Sequence, residues 1–235
     1  MHTIFNTIKQ ISAISLMIMC LGACSSHYDP WKGKNAEEIM NKGILNMEWG
    51  SHESATEAFQ NVKDRYPYSK FAILAELKMA DSLFIRSEFE DAYIAYDEYE
   101  RMHPKDKNIP YVIYRKGMCH FKQIKTVDRE QSNALKAKDE FERLINRFPE
   151  DIYAARARKN IRECLISLAE AEISIGHFYY KMKKYTAAMN RYLYAIKNYP
   201  DMGQYNEALE YISKCRENLT DKMEGSNLIN PDTES

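Results

Sequence analysis

An all-α chain of stacked helix hairpins is what this sequence predicts, and three observations predict it. Glycine and proline are scarce, 8 and 7 in 235 residues, and no run alternates apolar and polar positions as a strand would. The stretches ATEAFQNVKDRYP, AYIAYDEYERMHP, AKDEFERLINRFP and AAMNRYLYAIKNYP then repeat one design. Counting back from Pro67, Pro104, Pro149 and Pro200, each has Ala twelve residues earlier (Ala55, Ala92, Ala137, Ala188) and an aromatic eight earlier (Phe59, Tyr96, Phe141, Tyr192). Finally, Ala154, Ala157, Ile161, Cys164, Leu168, Ala171, Ile175 and Phe178 step by three and four. That spacing marks one continuous amphipathic helix over 152–181, about 45 Å long at 1.5 Å per residue.

The repeated offsets have a mechanical reading. Ala and its aromatic are four apart and share a helix face, where the small residue admits a partner helix and the ring fills the space beside it. Proline cannot continue the helix and ends it. Twelve residues before each Ala, a second small residue belongs on the preceding helix, and Gly43, Ala80 and Gly176 stand there. Gly176 is followed by Tyr179, and the pattern resembles tetratricopeptide repeats, whose helix pairs stack because no pair buries its apolar face alone.

The spacing of the units is uneven. The prolines are 37, 45 and 51 residues apart, against about 34 for a regular repeat of this kind. Gly117 precedes Ala137 by twenty residues rather than twelve, so about eight are inserted as KTVDREQSN between the helices of the third unit. QYNEALEYISKCREN reads as a terminal helix closing the stack. The expected organisation is a superhelix of about five helix pairs over residues 36–219, one long helix before the fourth unit, and a disordered tail over 220–235.

The N-terminus is of another kind. Ile11 to Leu21 is mostly apolar, preceded by Lys9 and followed by Gly22 and Ala23. The run is shorter than the roughly 20 residues that span a bilayer, and its order is that of a secretory signal. Leu21-Gly22-Ala23-Cys24 resembles a bacterial lipobox, which implies cleavage after residue 23 and acylation of Cys24. Several acyl chains on one residue anchor where a single chain binds only reversibly. Residues 1–23 are thus expected to be a signal peptide and 24–35 a lipidated linker. Ser25, rather than Asp, after the cysteine resembles the outer-membrane sorting choice. Loss of the signal removes Lys9 and no acid, so the net charge moves from −1 to −2; so neutral a chain gives no reason to expect nucleic acid as a partner. Cys119, Cys164 and Cys215 remain, and an odd count within apolar helical patterns reads as buried small hydrophobes rather than a disulfide framework.

No catalytic constellation emerges. His52, His103, His120 and His177 lack i, i+4 pairing or a neighbouring cysteine, so no zinc spacing exists. There is no Gly-rich phosphate loop and no G-x-S-x-G, and Glu170 and Glu172, two apart on a helix, point different ways. The chain is therefore read as a non-enzyme without cofactor or metal. Its 17 tyrosines, clustered at Tyr179, Tyr180, Tyr185, Tyr192, Tyr194 and Tyr199, serve inter-helix packing, with some suited to protein contact.

The lipobox, the repeat units, the insertion in the third and the over-long helix before the fourth together resemble the BamD family of outer-membrane-protein assembly lipoproteins. NIPYVIYRKGM, VDREQS, AKDEFERLINRFP and LAEAEISIGHFYYKMKKYTAAMNRY resemble that family's stretches in order and spacing, across about residues 34–219. The resemblance implies a scaffold lipid-anchored at the periplasmic face of the outer membrane. Its partners would be the periplasmic domains of the central barrel subunit, accessory lipoproteins and unfolded outer-membrane proteins. Arg191, with Asn190 beside it, matches the family position that couples to the central subunit, and Tyr66 matches an aromatic of the substrate-receiving groove. Tyr66 also fills the pre-proline packing slot of its repeat, and it is the family match alone that sets Arg191 apart from a solvated helix arginine. Glu98 stands where the family often carries a basic residue. Another lipid-anchored repeat adaptor, such as a pilotin for pilus secretin assembly, shares the lipobox and repeats but does not call for the long helix. Mass spectrometry of the mature N-terminus is expected to show a lipid on Cys24 and no residue before it; an unmodified or retained N-terminus contradicts the lipobox reading.

Overall fold

Every proline of the repeat stops a helix in the same way. The residues before Pro67, Pro104, Pro149 and Pro200 are Tyr66, His103, Phe148 and Tyr199. Each is a helix C-cap with φ between −125° and −139° and ψ between 51° and 62°, because a following proline disfavours the helical conformation. The computed structural model describes residues 29–124 and 131–229, with side chains as far as Asp221. The described part contains nine helices, α1 (Ala36–Glu48), α2 (His52–Arg65), α3 (Ala72–Ile85), α4 (Phe89–Met102), α5 (Ile109–Phe121), α6 (Ser132–Arg147), α7 (Ile152–Lys181), α8 (Tyr185–Asn198) and α9 (Tyr205–Ile229). No strand occurs among the described residues. Residues 29–35 belong to a separate unit, in which the Trp31 amide donates to Asp29 Oδ1 at 2.9 Å.

Helices pack mainly against their neighbours in the chain, as a stack of hairpins requires. Four pairs form, α1/α2, α3/α4, α5/α6 and α7/α8. The fifth unit is α9 alone, packed on α8, where about five pairs were expected. The first, second and fourth pairs turn identically. Gly50, Ser87 and Lys183 take φ of 74°, 64° and 58°, and each turn makes the two crossed bonds of a Schellman cap. In the fourth pair these are Lys183 N to Tyr180 O at 2.9 Å and Lys184 N to Tyr179 O at 3.0 Å. The third pair carries the insertion at this place. VDREQS lies largely outside the described residues, but Asn133 Nδ2 donates to the Gln123 carbonyl at 3.2 Å and ties its two flanks together.

The alanine and ring positions read from the repeat are all interior: Ala55, Ala92, Ala137 and Ala188 are wholly buried, as are Phe59, Tyr96, Phe141 and Tyr192. The glycine on the first helix of three of the pairs now has its reason. A Cβ on Gly43 would lie 2.5 Å from Phe59 Cε1 and one on Gly117 2.5 Å from Phe141 Cε1, and one on Gly176 would collide with the Tyr192 ring. The ring of the second helix rests on the bare backbone of the first.

The long helix occurs where its periodicity placed it, Ile152–Lys181. Its N-terminal half contributes Ala157 and Cys164 to a core shared with α3, α4, α5 and α6. Its C-terminal half contributes Ile173 to a second core with Ala188, Tyr192, Ala208 and Cys215 of α8 and α9. It also packs against α5, a contact that skips a helix in the chain. The terminal helix passes the expected boundary at 219 and reaches Ile229; no proline stands before Pro231, and Lys222, Met223 and Glu224 are good helix formers that need no tertiary partner to extend an existing helix. The helix thus runs on into the first part of the stretch expected to be a tail.

Gly117→Val is expected to force the Phe141 ring out of its seat and to lower stability by about 1–3 kcal/mol. A Phe141→Leu change in the same chain should recover part of the loss. Urea denaturation of the wild type and the two variants measures both; an unaffected single variant would show that the ring does not depend on the glycine.

Candidate functional site

The C-terminal pair holds the residues that the sequence marks for partner contact. Ala187, Asn190, Arg191 and Tyr194 lie on one side of α8, because positions three and four apart share a helix face. With Tyr179 of α7 they line an open groove of about 380 Å³. Asn190 is exposed, and Arg191 is half-exposed. Its Nη1 donates to Glu172 Oε2 of α7 at 3.1 Å, the Arg191 side chain being 43% and the Glu172 side chain 17% exposed. Glu172 thus orients the guanidinium while the rest of its fork stays open toward solvent. Tyr194 is exposed, and its ring stacks edge-on with Tyr199 at 6.2 Å between centroids. An arginine, an amide and two tyrosines on a rigid helix pair form a surface suited to gripping another protein.

The chain was compared with known families and proteins. A family model described as "YfiO: Outer membrane lipoprotein" matches residues 32–227. Among similar curated proteins is the outer membrane protein assembly factor BamD of Rickettsia prowazekii, 31% identical over 208 residues, covering 86% of this chain and 80% of that protein. The chain belongs to the BamD family. Other members bearing the same name, from Pasteurella multocida and Vibrio cholerae, are 25% and 22% identical and cover 90% and 94% of this chain.

The structure brings Arg191 and Asn190 into one groove and places Tyr66 apart from them, in the first pair. Tyr66 caps α2 in the first pair, half-buried, its amide donating to Val62 O at 3.0 Å. That helix packs chiefly on α1 and α3, whereas α8 packs on α7 and α9. Next to it Tyr68 is wholly exposed, a neighbour that sequence reading passed over. Glu98, the departure from the family pattern, accepts from Lys63 Nζ at 3.2 Å and so ties α4 to α2. Cys24 and the signal segment lie outside the described residues; among those described, no helix is long and apolar enough to cross a membrane.

Glu172, Tyr179 and Tyr194 were not read as one site from the sequence. Glu172 stands 19 residues before Arg191, and no periodicity within one helix announces a partner on the facing helix. His177, unpaired in the sequence, is fixed between Tyr192 Oη at 2.9 Å and Glu207 Oε1 at 3.0 Å, joining α7, α8 and α9. Among the described residues no group of His, Cys, Asp and Glu could hold a metal ion. Cys119, Cys164 and Cys215 are buried and unpaired. Burial pushes the Cys119 and Cys164 thiols up to about 12, which leaves them protonated and inert.

A dense polar cluster joins the second and third pairs around the buried Lys116. Lys116 Nζ contacts Asp97 Oδ1 at 2.6 Å, Glu100 Oε2 at 3.2 Å and Glu140 Oε1 at 3.5 Å. Arg143 reaches Glu100 and Glu140 at 2.6 Å each, and Arg147 reaches Glu100 at 3.1 Å. Every cation faces carboxylates and no nucleophile stands among them, so the arrangement clamps α4, α5 and α6. Burial raises the Glu100 carboxyl, but Arg143 and Lys116 outweigh it and hold it below its ordinary value of 4.5. A carboxyl held low in the folded state stabilises above its unfolded pKa and loses that contribution as pH falls through the folded one. Glu100→Gln is therefore expected to be less stable than the wild type near neutral pH, with the gap narrowing as acid is added below 4.5. Thermal melts of both proteins across pH check this; a gap independent of pH removes Glu100 from the clamp's electrostatics.

Proposed function

We propose that this protein is a lipid-anchored scaffold of the machinery that assembles β-barrel proteins at the outer membrane. The family match over residues 32–227 carries that reading, and several relatives bear the name outer membrane protein assembly factor. Cys24 would hold it to the periplasmic face of the outer membrane. The groove at Asn190 and Arg191 would grip the periplasmic domains of the central barrel subunit, with accessory lipoproteins as further partners.

The physical case is independent of the name. Incoming barrel proteins are extended segments with alternating apolar side chains and unpaired edges, prone to aggregate until paired. A stack of helices has no strand edge of its own and can hold such a segment by its side chains, leaving the backbone free to join a sheet. The first pair, with Tyr66 and the exposed Tyr68 beside it, would receive these substrates. The reading assigns no catalytic step and no cofactor. A secretin pilotin shares the anchor and repeats, but the thirty-residue α7 and the family match favour assembly of barrels.

Arg191→Glu places a carboxylate opposite Glu172 and reverses the charge the groove offers. It is expected to cut recovery of a large barrel protein with periplasmic repeats by about tenfold in a pull-down from detergent-solubilised envelope, as loss of one charged anchor does. Circular dichroism should remain helical. Unchanged recovery would move the coupling surface away from Arg191, and recovery of a secretin ring would replace the reading.

A further inference from the structure

The N-terminal half of α7 carries a second surface. Over residues 152–169 the only acid is Glu163, against Arg156, Arg158, Lys159 and Arg162, in a chain whose net charge is −1. All four cations are exposed. At 100° per residue Arg156, Lys159 and Arg162 fall on the side of the helix away from Ala154, Ala157, Ile161 and Cys164, which face the core, and Arg158 lies at the edge of that side. Ile152, 63% exposed, lies among them.

Their partners set them apart from the cations of the third pair. Lys116, Arg143 and Arg147 all meet carboxylates. In contrast, the Arg156 guanidinium lies 5.3 Å from the centroid of the Tyr153 ring. Arg158 Nη2 donates to the Pro149 carbonyl at 3.1 Å and Arg162 Nη2 to the Asp201 carbonyl at 3.4 Å. Three guanidiniums are thus held by neutral groups, which limit their motion and leave their charge uncompensated. Ordering an arginine fork before binding reduces the entropy lost on contact, and its planar geometry suits carboxylates.

The break in the repeat explains why this face is open. In the other pairs the first helix is covered along its length by its own second helix. Here α7 is 30 residues long and α8 only 14, so α8 can flank no more than half of it.

We propose that this face of α7 docks an acidic polypeptide segment on a partner protein, with Arg156, Arg158, Lys159 and Arg162 as carboxylate contacts and Ile152 as an apolar foothold. The apolar residue within the row favours a protein over a bare phosphate array, which offers it nothing to bury against. The surface does not use the groove at Arg191, so it stands whether or not that groove binds the barrel subunit.

Fluorescence anisotropy of a labelled polyglutamate peptide with the full chain tests it. The wild type is expected to bind at low ionic strength and to weaken as salt is added. The variant R156Q/R158Q/K159Q/R162Q should weaken binding by roughly tenfold, the sum of four partly exposed contacts. The variant K181Q/K183Q/K184Q, altered at another exposed cationic cluster, should bind as the wild type does. Because Arg158 and Arg162 also hold backbone carbonyls, R156Q/K159Q serves as the milder variant, with a smaller loss and an unchanged thermal melt. Equal loss in the two clusters, no loss in either, or binding to phosphatidylglycerol vesicles without binding to the peptide would each overturn the proposal.

Discussion

Three of the four helix pairs depend on an aromatic ring seated on a bare patch of helix backbone, and the second seats Tyr96 against Ala80. Phe59 on Gly43, Phe141 on Gly117 and Tyr192 on Gly176 bring the two helices of a pair close enough for the alanines four residues before each ring to touch the partner as well. Burying a ring of this size is worth about 1.5–3 kcal/mol. Its larger effect is geometric: in three pairs a Cβ on the facing helix would collide with the ring, and the second pair admits nothing larger than Ala80 there. The same seat sets which faces turn outward, and hence where Arg191 and the cations of α7 stand.

The second organising feature is a departure from the repeat. A regular unit would begin α7 where its C-terminal half begins; here one uninterrupted helix serves two cores in succession. Helical backbone resists bending, since its hydrogen bonds run the length of the rod. The central pairs and the C-terminal pair are therefore joined by a stiff connection rather than a loop. For a scaffold, this sets a fixed spacing between whatever binds at the one and at the other. The ion cluster around Lys116 contributes in a different way. Its members come from three helices, and the carboxylates around Lys116 compensate the one charge in it that is almost wholly buried.

Much of this was legible before any coordinates. The rings, alanines and prolines recur at fixed offsets, and a helix of 3.6 residues per turn turns those offsets into faces without further information. The span of α7 followed from apolar steps of three and four, since no proline or turn signal interrupts them. Less was legible at the ends and between helices. The last helix runs on to Ile229 through polar residues whose periodicity predicts nothing. Arg191 and Asn190 were marked by resemblance, yet the groove they share with Tyr179 of the facing helix was not.

From its residues alone the chain determined its all-helical class, the pairing of its helices and the identity of its buried rings, because each rests on contacts between positions of known helical phase. Tertiary structure alone decided which charges are spent and which are left over. Glu172 meets Arg191 and Asp97 meets Lys116 only because two helices cross at a particular height. Arg156, Arg158, Lys159 and Arg162 stand on the side of α7 away from the core it shares with α5 and α6, along a stretch where the shorter α8 does not follow it. Side-chain pairing across helices depends on distances in space that a one-dimensional pattern does not carry.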